Sequence, residues 1–382
     1  MKSCRVCRSP LGDPIYIASA PAITSIMTPL AIDTYVFLCE ACGHSQSPDL
    51  PDLQAFYDTE YRISLESSEH DQIYAMKEDG APIYRTDHQS EMALRHLALE
   101  HGALILDFGA AKADTLRKMV TARPDIIPHV FDVSSDYCGA WRGWIDKDAQ
   151  ATYDVPEAWV NRFDAVMSHF VIEHVPDPIL FLQSIRKLLK QNGKLLLSVP
   201  DVASNPGDMI VADHLNHFSK NSLTCALRRA GFIVEEIDEM SFPGAFIVRA
   251  VSSSVDEEYY GSPDEAIAMS TTICRTWRGS EAHMIEMKQH FGGRKSAIYG
   301  AGFYGSWIQC KIGGTVDIYA FMDQNPNLQG KTHLGHPVIH PDDLPDDVSV
   351  IFVALNPRKA RSIINQVQSL RKDGLEFVWL DC

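Results

Sequence analysis

Four places along the 382 residues carry side chains whose kinds and intervals could do chemistry. The first is a pair of thiol motifs, Cys4-x-x-Cys7 and, after 31 intervening residues, Cys39-x-x-Cys42. Two residues between thiolates let both sulfurs of one turn face a single ion while turn amides donate to them, and Gly43 supplies the backbone freedom such turns favour. Four thiolates complete a tetrahedral shell, so Cys4, Cys7, Cys39 and Cys42 are expected to hold a structural Zn2+ with no position left for catalysis. A thioredoxin-type redox pair, the rival reading, would need only one such motif. The second place is the turn "DFGAAKAD", Asp107 to Asp114, and the third comprises the histidines of "IEHVPDP" (His174) and "VADHLNHFS" (His214, His217). The fourth is "YGAGFYG", which gives Gly300-x-Gly302-x-x-Gly305.

The elements that must position these residues are legible as alternating patterns. "ALILDFG", "IIPHVFDVS", "RFDAVMSHF" and "KLLLSVP" are apolar runs, separated by a helix from Asp114, a short helical piece near Trp141 and the helix "DPILFLQSIRKLLKQNG". Such alternation predicts a parallel sheet with right-handed crossovers, a doubly wound domain. "DHQSEMALRHLALEHG" is expected to be a helix stopping at Gly102, with Met92, Leu94, Leu97 and Leu99 as its apolar face. A second strand–turn–helix starts at "KSAIYGAGFYGSWIQCKIGG", followed by the strands of "VDIYAFMDQNP" and "VSVIFVALNP". The expected class is α/β: a zinc module over residues 1–60, a doubly wound core over 61–254, a helical bridge over 255–291 and a C-terminal Rossmann-like unit over 292–382.

Composition narrows the partners. With 45% hydrophobic and 22% charged residues the chain is expected to be soluble, and no apolar run reaches a membrane span. The N-terminus lacks the apolar segment of a secretory signal, and nine cysteines, four of them paired in motifs, suit reduced thiols, so a cytoplasmic location is expected. The net charge of −16 is shared as −4 over 1–60, −12 over 61–291 and 0 over 292–382. No segment has the basic excess that binding a phosphate backbone requires, which disfavours nucleic acid and leaves a small-molecule substrate.

In a doubly wound sheet the ligand sits at the carboxyl ends of the strands, beside the first turn and the helix it opens. Gly109 allows close approach there, and Ala111 and Ala113 are the smallest alternatives to glycine, provided neither position needs a positive φ. Asp114 at the helix start would repel a pyrophosphate. It would instead meet the positive groups of S-adenosylmethionine, so the turn suits that cofactor better than NAD. Asp132, 23 residues after Gly109, is placed to accept hydrogen bonds from two ribose hydroxyls. Its alternative is a strand-capping role without a ligand.

These blocks resemble a class I S-adenosylmethionine-dependent methyltransferase over roughly residues 103–240, most specifically in "IEHVPDP". The whole arrangement resembles the zinc-containing sugar C-methyltransferases that act on nucleotide-linked deoxysugars. The resemblance implies that the core, through Asp107, Gly109, Ala111, Asp114, Asp132, Asp154 and His169, binds S-adenosylmethionine. It also implies that the zinc module and core enclose the sugar, and that the C-terminal unit holds the nucleotide of the substrate. By position His214 matches the family's base, Asp213 its glutamate partner and His217-Phe218-Ser219 its Tyr-Phe-Ser. His174 is a second candidate base. Val211 replaces a family tyrosine, and "YDTEYRISLESS" lacks another, which raises O- or N-methylation over C-methylation beside a ketone.

Each residue also has a plainer reading. His217 could pack over a helix capped by Ser219, His169 could line the cofactor or touch the acceptor, and Asp154 could flank the adenine or sit in an exposed turn. Gly300, Gly302, Gly305 and Asp323 fit dinucleotide binding, yet no redox domain follows, so they and Arg358, a cation at a helix entrance, point first to the substrate nucleotide or an accessory ligand, with a folded unit that holds no ligand and a true dinucleotide site as the alternatives. The alternatives are an RNA methyltransferase with a zinc module and a non-catalytic ligand-binding scaffold.

Overall fold

The computed structural model describes residues 3–51, 73–76, 82–253 and 261–380; "YDTEYRISLESS", 57–68, lies outside them. The chain forms two compact units that interleave in sequence. The first comprises Met1–Leu11, Cys39–Asp201 and Leu215–Ala266, the second Gly12–Leu38, Val202–His214 and Ile267–Cys382.

The first unit is built on seven strands: β1 (Leu104–Phe108), β2 (Ile127–Asp132), β3 (Gln150–Thr152), β4 (Phe163–His169), β5 (Leu189–Pro200), β6 (Phe232–Asp238) and β7 (Ala245–Ser252). Their order is β3-β2-β1-β4-β5-β7-β6, parallel from β3 to β5, with β7 antiparallel to both of its neighbours. Connecting helices cover both faces: α1 (Arg85–Leu97), α2 (Asp114–Ala122), α3 (Pro178–Leu188) and α4 (Lys220–Arg229). Successive strand residues point to opposite faces, so neighbours divide between two cores. Leu106, Val166, Leu197 and Val248 join the core that α3 and α4 cover, with Leu182, Ile185, Leu223 and Leu227. Ile105, Met167, Leu196 and Ile247 join the other, with Met92, Leu97, Leu116 and Met119 of α1 and α2. Each such leucine or isoleucine contributes roughly 1.5–3 kcal/mol by leaving water, which fixes the register of every strand.

Two boundaries differ from the sequence reading. Helix α1 ends at Leu97, where Ala98 adopts the left-handed conformation and donates to the Leu94 carbonyl; Gly102 takes the next left-handed position, at the turn into β1. The apolar spacing ran on because Leu99 packs against the same core. Helix α3 stops at Leu188 and Leu189 already pairs with Phe163, so "KQNG" belongs to strand β5.

The second unit holds strands β8 (Lys295–Tyr299), β9 (Asp317–Met322), β10 (Thr332–His333), β11 (His336–Ile339), β12 (Val350–Val353) and β13 (Glu376–Trp379). They lie in the order β10-β11-β9-β8-β12-β13, all parallel except the edge strand β10. Strand order reverses between β8 and β12. Helices α6 (Phe303–Ile312) and α7 (Pro357–Ile364) follow β8 and β12, and the long helix α5 (Asp264–His290) supplies Trp277 and Met284 to the same core as Ile298, Phe321 and Phe352. No described helix is long and apolar enough to cross a membrane.

Candidate functional site

The turn after β1 is held from both sides by backbone and side chain. The amides of Gly109 and Ala110 donate to the Phe131 carbonyl, and the Ala111 amide donates to Asp132 Oδ2 at 2.8 Å. Trp141, fully buried, donates its indole N–H to the Ala111 carbonyl at 2.7 Å. The other Asp132 oxygen accepts from the Ser134 amide at 3.1 Å. Each carboxylate oxygen keeps lone pairs for a further donor. The alanines correct the sequence reading: Ala111 (φ 45°) and Ala113 (φ 57°) both stand in the left-handed region, as does Gly109 (φ 83°). Space at Gly109 is also filled in a way the sequence did not show, since a Cβ there would fall 2.5 Å from Cγ2 of Val171. Glycine at 109 thus serves packing as well as backbone conformation.

Two carboxylates face each other electrostatically beneath this turn. Burial, and then the charge of Asp132, push the Asp107 carboxyl up to about 8, and burial also raises Asp132. A buried acid pair of this kind fits a ligand that brings positive charge and hydroxyl donors, and the helix start at Asp114 adds a third carboxylate without a phosphate-friendly cap. His169 ends β4. Its Nδ1 and Ser198 Oγ lie 2.7 Å apart, while its buried Nε2 has no hydrogen-bond partner among the described residues. Burial, then Arg85, hold its basicity down at about 4, so the ring is neutral at neutral pH. Asp154 is exposed in the turn after β3, beside Tyr153 (φ 63°), whose hydroxyl meets Ser135. Arg85 stacks on Phe170 at 4.0 Å, beside Phe242, an arrangement with no marker in the sequence beyond the three residue types.

The four motif cysteines come together. Their sulfurs all lie within 4.8 Å of one another and are buried, with Cys4–Cys42 at 3.6 Å and Cys7–Cys39 at 3.4 Å. A zinc ion bound at about 2.3 Å to four thiolates would space them at about 3.8 Å, so the donor set fits that metal. The Cys7 amide points at Cys4 Sγ at 3.4 Å, as an ion-binding turn requires. Around this cluster the first unit clamps residues 215–217. Arg5 donates to the carbonyls of Ser47 and Leu215, His217 Nε2 meets Ser47 Oγ at 2.8 Å, and Asn216 pairs with His44. The Asn216 amide also donates to the Val175 carbonyl at 2.7 Å, and the Leu215 amide to the Glu173 carbonyl, so this clamp reaches the "IEHVPDP" loop. His174 is buried there in a tight turn, and its neighbour Glu173 is 1% exposed. His217 is therefore a structural residue of this clamp, and Ser219 caps α4 as its sequence suggested. Asp177 caps α3 through the Ile179 and Leu180 amides.

In the second unit, His214 has a different partner from the one its neighbour suggested. Its Nδ1 lies 2.5 Å from Oδ1 of Asp208, a carboxylate that is 1% exposed. Asp213 instead turns to Ser25, taking its amide and hydroxyl at 2.6 Å each. The partner was missed because motif matching favours the adjacent acid. The available signal was the turn "NPGD", which can fold the chain back so that Asp208 meets a side chain six residues further on.

The glycines of β8–α6 divide their tasks. A Cβ at Gly300 (φ 109°) would strike the Ala354 carbonyl at 2.4 Å, and one at Gly305 would strike the Gly300 carbonyl at 2.1 Å; at Gly302 it would meet nothing within 4 Å. The Ala301 amide donates to Asp323 Oδ2 at 3.0 Å, and the Asn325 amide to Oδ1 at 2.8 Å. Arg358 stands at the start of α7, its amide capped by Asn356.

Residues 84–237 match a family model described as a methyltransferase domain, and they coincide with α1 through most of β6 of the first sheet. The first unit carries a class I S-adenosylmethionine-dependent methyltransferase domain. Among curated relatives, a ubiquinone biosynthesis O-methyltransferase of Xanthomonas oryzae pv. oryzae is 32% identical over 103 residues, 25% of this chain and 43% of its own. The one of Xanthomonas axonopodis pv. citri is 28% identical over 163 residues, 37% of this chain and 67% of its own. The chain thus spans less than half the length of the first of these. Among solved structures, an S-adenosylmethionine-dependent methyltransferase from Mesorhizobium loti aligns at 15% identity and TM-score 0.35, over 43% of this chain and 97% of its own.

Proposed function

We propose that the protein transfers a methyl group from S-adenosylmethionine to an oxygen of a small polar acceptor, a nucleotide-linked sugar or a close relative of one, with His214 as base. The observation that carries the proposal is the His214–Asp208 pair. A carboxylate on Nδ1 fixes the neutral ring with its proton there, and Nε2 is then the basic nitrogen. A hydroxyl acceptor must lose a proton as it is methylated, which is the service this tautomer provides.

Asp132 would hold the ribose hydroxyls of the cofactor, Asp107 and Asp114 its positive end, with Gly109 and Ala111 framing the turn and Asp154 and His169 at its margins. When bound, S-adenosylmethionine supplies an electrophilic methyl carbon attached to a leaving thioether. The protein's part is to exclude water, align the acceptor oxygen and take its proton on Nε2 of His214. His174 is the reserve candidate for that proton. Zn2+ on Cys4, Cys7, Cys39 and Cys42 would be structural, because four thiolates leave it no open position. The second unit is read as Rossmann-like, with Gly300, Gly302, Gly305, Asp323 and Arg358 toward the acceptor's nucleotide; the open side of Gly302 supports that reading. Oxygen as the acceptor atom is favoured by Val211, where a phenol would serve a keto sugar, and by the O-methyltransferase names of the curated relatives.

The test is mass spectrometry of S-adenosylhomocysteine and methylated product across a panel of nucleotide sugars and their free sugars. Product from the wild type and its loss in His214→Ala are expected. Equal product from both proteins would remove His214 from the mechanism.

A further inference from the structure

We infer that the second unit is the mount of the His214–Asp208 pair, and that Tyr304 and Asn356 are positioning residues that hold the pair's tautomer. The catalytic significance of this mount rests on the proposed role of His214; the mount itself does not.

Residues Val202–His214 leave the first unit's sequence and fold within the second. Along those 13 residues nearly every turn is tied to an element of the second unit. The Asn356 side chain donates to the Ser204 carbonyl at 2.9 Å, and Trp277 donates its indole N–H to the Pro206 carbonyl at 2.8 Å. The Gly207 amide donates to the Tyr304 hydroxyl at 3.0 Å. Tyr304 is stacked on Trp277, with centroids 5.9 Å apart and planes 18° apart, so its hydroxyl has a fixed bearing. Gly207 has no room for a side chain there, since a Cβ would fall 2.8 Å from that hydroxyl. Beyond His214's partner Asp208, the Ala212 amide donates to the Ile23 carbonyl and Asp213 grips Ser25, which closes the far end.

The placement of the two ties is informative. Tyr304 lies inside Gly300-x-Gly302-x-x-Gly305, after β8, and Asn356 follows β12. These two strands flank the reversal of strand order, where doubly wound sheets put their ligand-contacting loops. Here one side chain from the first turn of α6 and one from the loop after β12 hold backbone of the chain itself, one and four residues before Asp208. A His–Asp hydrogen bond at 2.5 Å is sensitive to small displacements of either partner, and Asp208 sits directly after the tied Gly207.

The experiment uses the full-length, zinc-loaded protein with 15N-labelled histidine and no ligand. Long-range 1H–15N spectra report the tautomer of each ring, and the signals of His214 are those lost in His214→Gln. In the wild type a single tautomer protonated at Nδ1 is expected. Asp208→Asn sets the reference for its loss. Tyr304→Phe, which keeps the stacking, and Asn356→Ala are each expected to move His214 toward a mixture of tautomers, and the double variant to approach the Asp208→Asn spectrum. Superposition of the double variant's His214 signals on the wild type's would overturn the mount. Loss of the single tautomer together with unchanged product formation would sustain the mount and instead defeat His214 as the base.

Discussion

The Ala111 amide and the Asp132 carboxylate, 2.8 Å apart, tie the first turn of the methyltransferase sheet to the end of its neighbouring strand. The same tie recurs in the second unit between Ala301 and Asp323 at 3.0 Å, and in both the second oxygen takes the amide two residues on. A carboxylate fixed in this way is oriented before any ligand arrives, so little ordering entropy would be lost on binding the ribose hydroxyls proposed for it. Asp132→Ala is expected to weaken S-adenosylmethionine binding by about 10- to 100-fold, the worth of hydrogen bonds to one charged group. Calorimetry on the folded variant reads this directly, and wild-type affinity would remove Asp132 from the cofactor site.

Left-handed alanines make a prediction of opposite sign. An L residue in that region costs roughly 1–2 kcal/mol, while glycine raises the entropy of the unfolded chain by about 0.4–1 kcal/mol. Ala111→Gly and Ala113→Gly should each stabilise the protein by about 0.5 to 1 kcal/mol in urea unfolding, and Ala111→Val should destabilise it. A loss of stability in both glycine variants would show that the methyl groups pack well enough to outweigh the strain.

The two acids near His214 separate by experiment. Asp208→Asn leaves the ring without its anionic partner and should lower turnover on the order of 1,000-fold with little change in the KM of S-adenosylmethionine. Asp213→Asn disturbs the Ser25 bonds and should cost about 1–3 kcal/mol of stability with turnover within a few-fold of wild type. The reverse ranking in initial rates would restore Asp213 as the partner.

These contrasts mark what the sequence could and could not convey. The doubly wound sheet was legible because Ile105 and Leu106, like Met167 and Val166, are adjacent apolar residues on opposite faces, and such unbroken runs suit strands covered on both sides. The thiol cluster was legible because two Cys-x-x-Cys turns have the spacing that a tetrahedral ion asks of its ligands. The left-handed state of Ala111 was not, since alanine carries no marker for it. Nor was Asp208, because the hydrogen bond runs across a turn whose path depends on Trp277 and Tyr304, 71 and 97 residues from the backbone groups they hold. Interleaving of the two units was likewise hidden, for nothing in Gly12–Leu38 distinguishes it locally from the thiol motifs on either side.

Metal removal should act through the clamp on residues 215–217. Cys39→Ser is expected to abolish binding of the zinc proposed for this site and to destabilise the first unit by several kcal/mol, since the binding energy of such a site is folding energy. Metal analysis with thermal unfolding checks both. A stable variant with wild-type zinc content would exclude Cys39 as a ligand.

Burial of Asp107 gives the protein a pH dependence whose sign can be worked out. Its carboxyl titrates at about 8 in the folded chain, against about 3.9 when unfolded, so between those values the folded state holds a proton that the unfolded state has released. Stability from this group falls as pH rises to about 8 and is constant above. His129 and His169, both held down at about 4 by burial first of all, act oppositely: their stability is present above about 6.5 and is lost as pH falls toward 4. Below pH ~6.5 the two effects oppose, and between ~6.5 and ~8 Asp107 acts alone of the three. Ligand-free protein should therefore lose stability across that upper window, and Asp107→Asn should flatten the curve there and steepen the acid limb, where Asp107 no longer opposes the two histidines. A cationic cofactor favours the ionised acid, so its binding should release a proton below pH 8 and tighten as pH rises. Calorimetry in two buffers of different ionisation enthalpy measures that proton, and its absence in the wild type at about pH 7 would place the cofactor's charge away from Asp107.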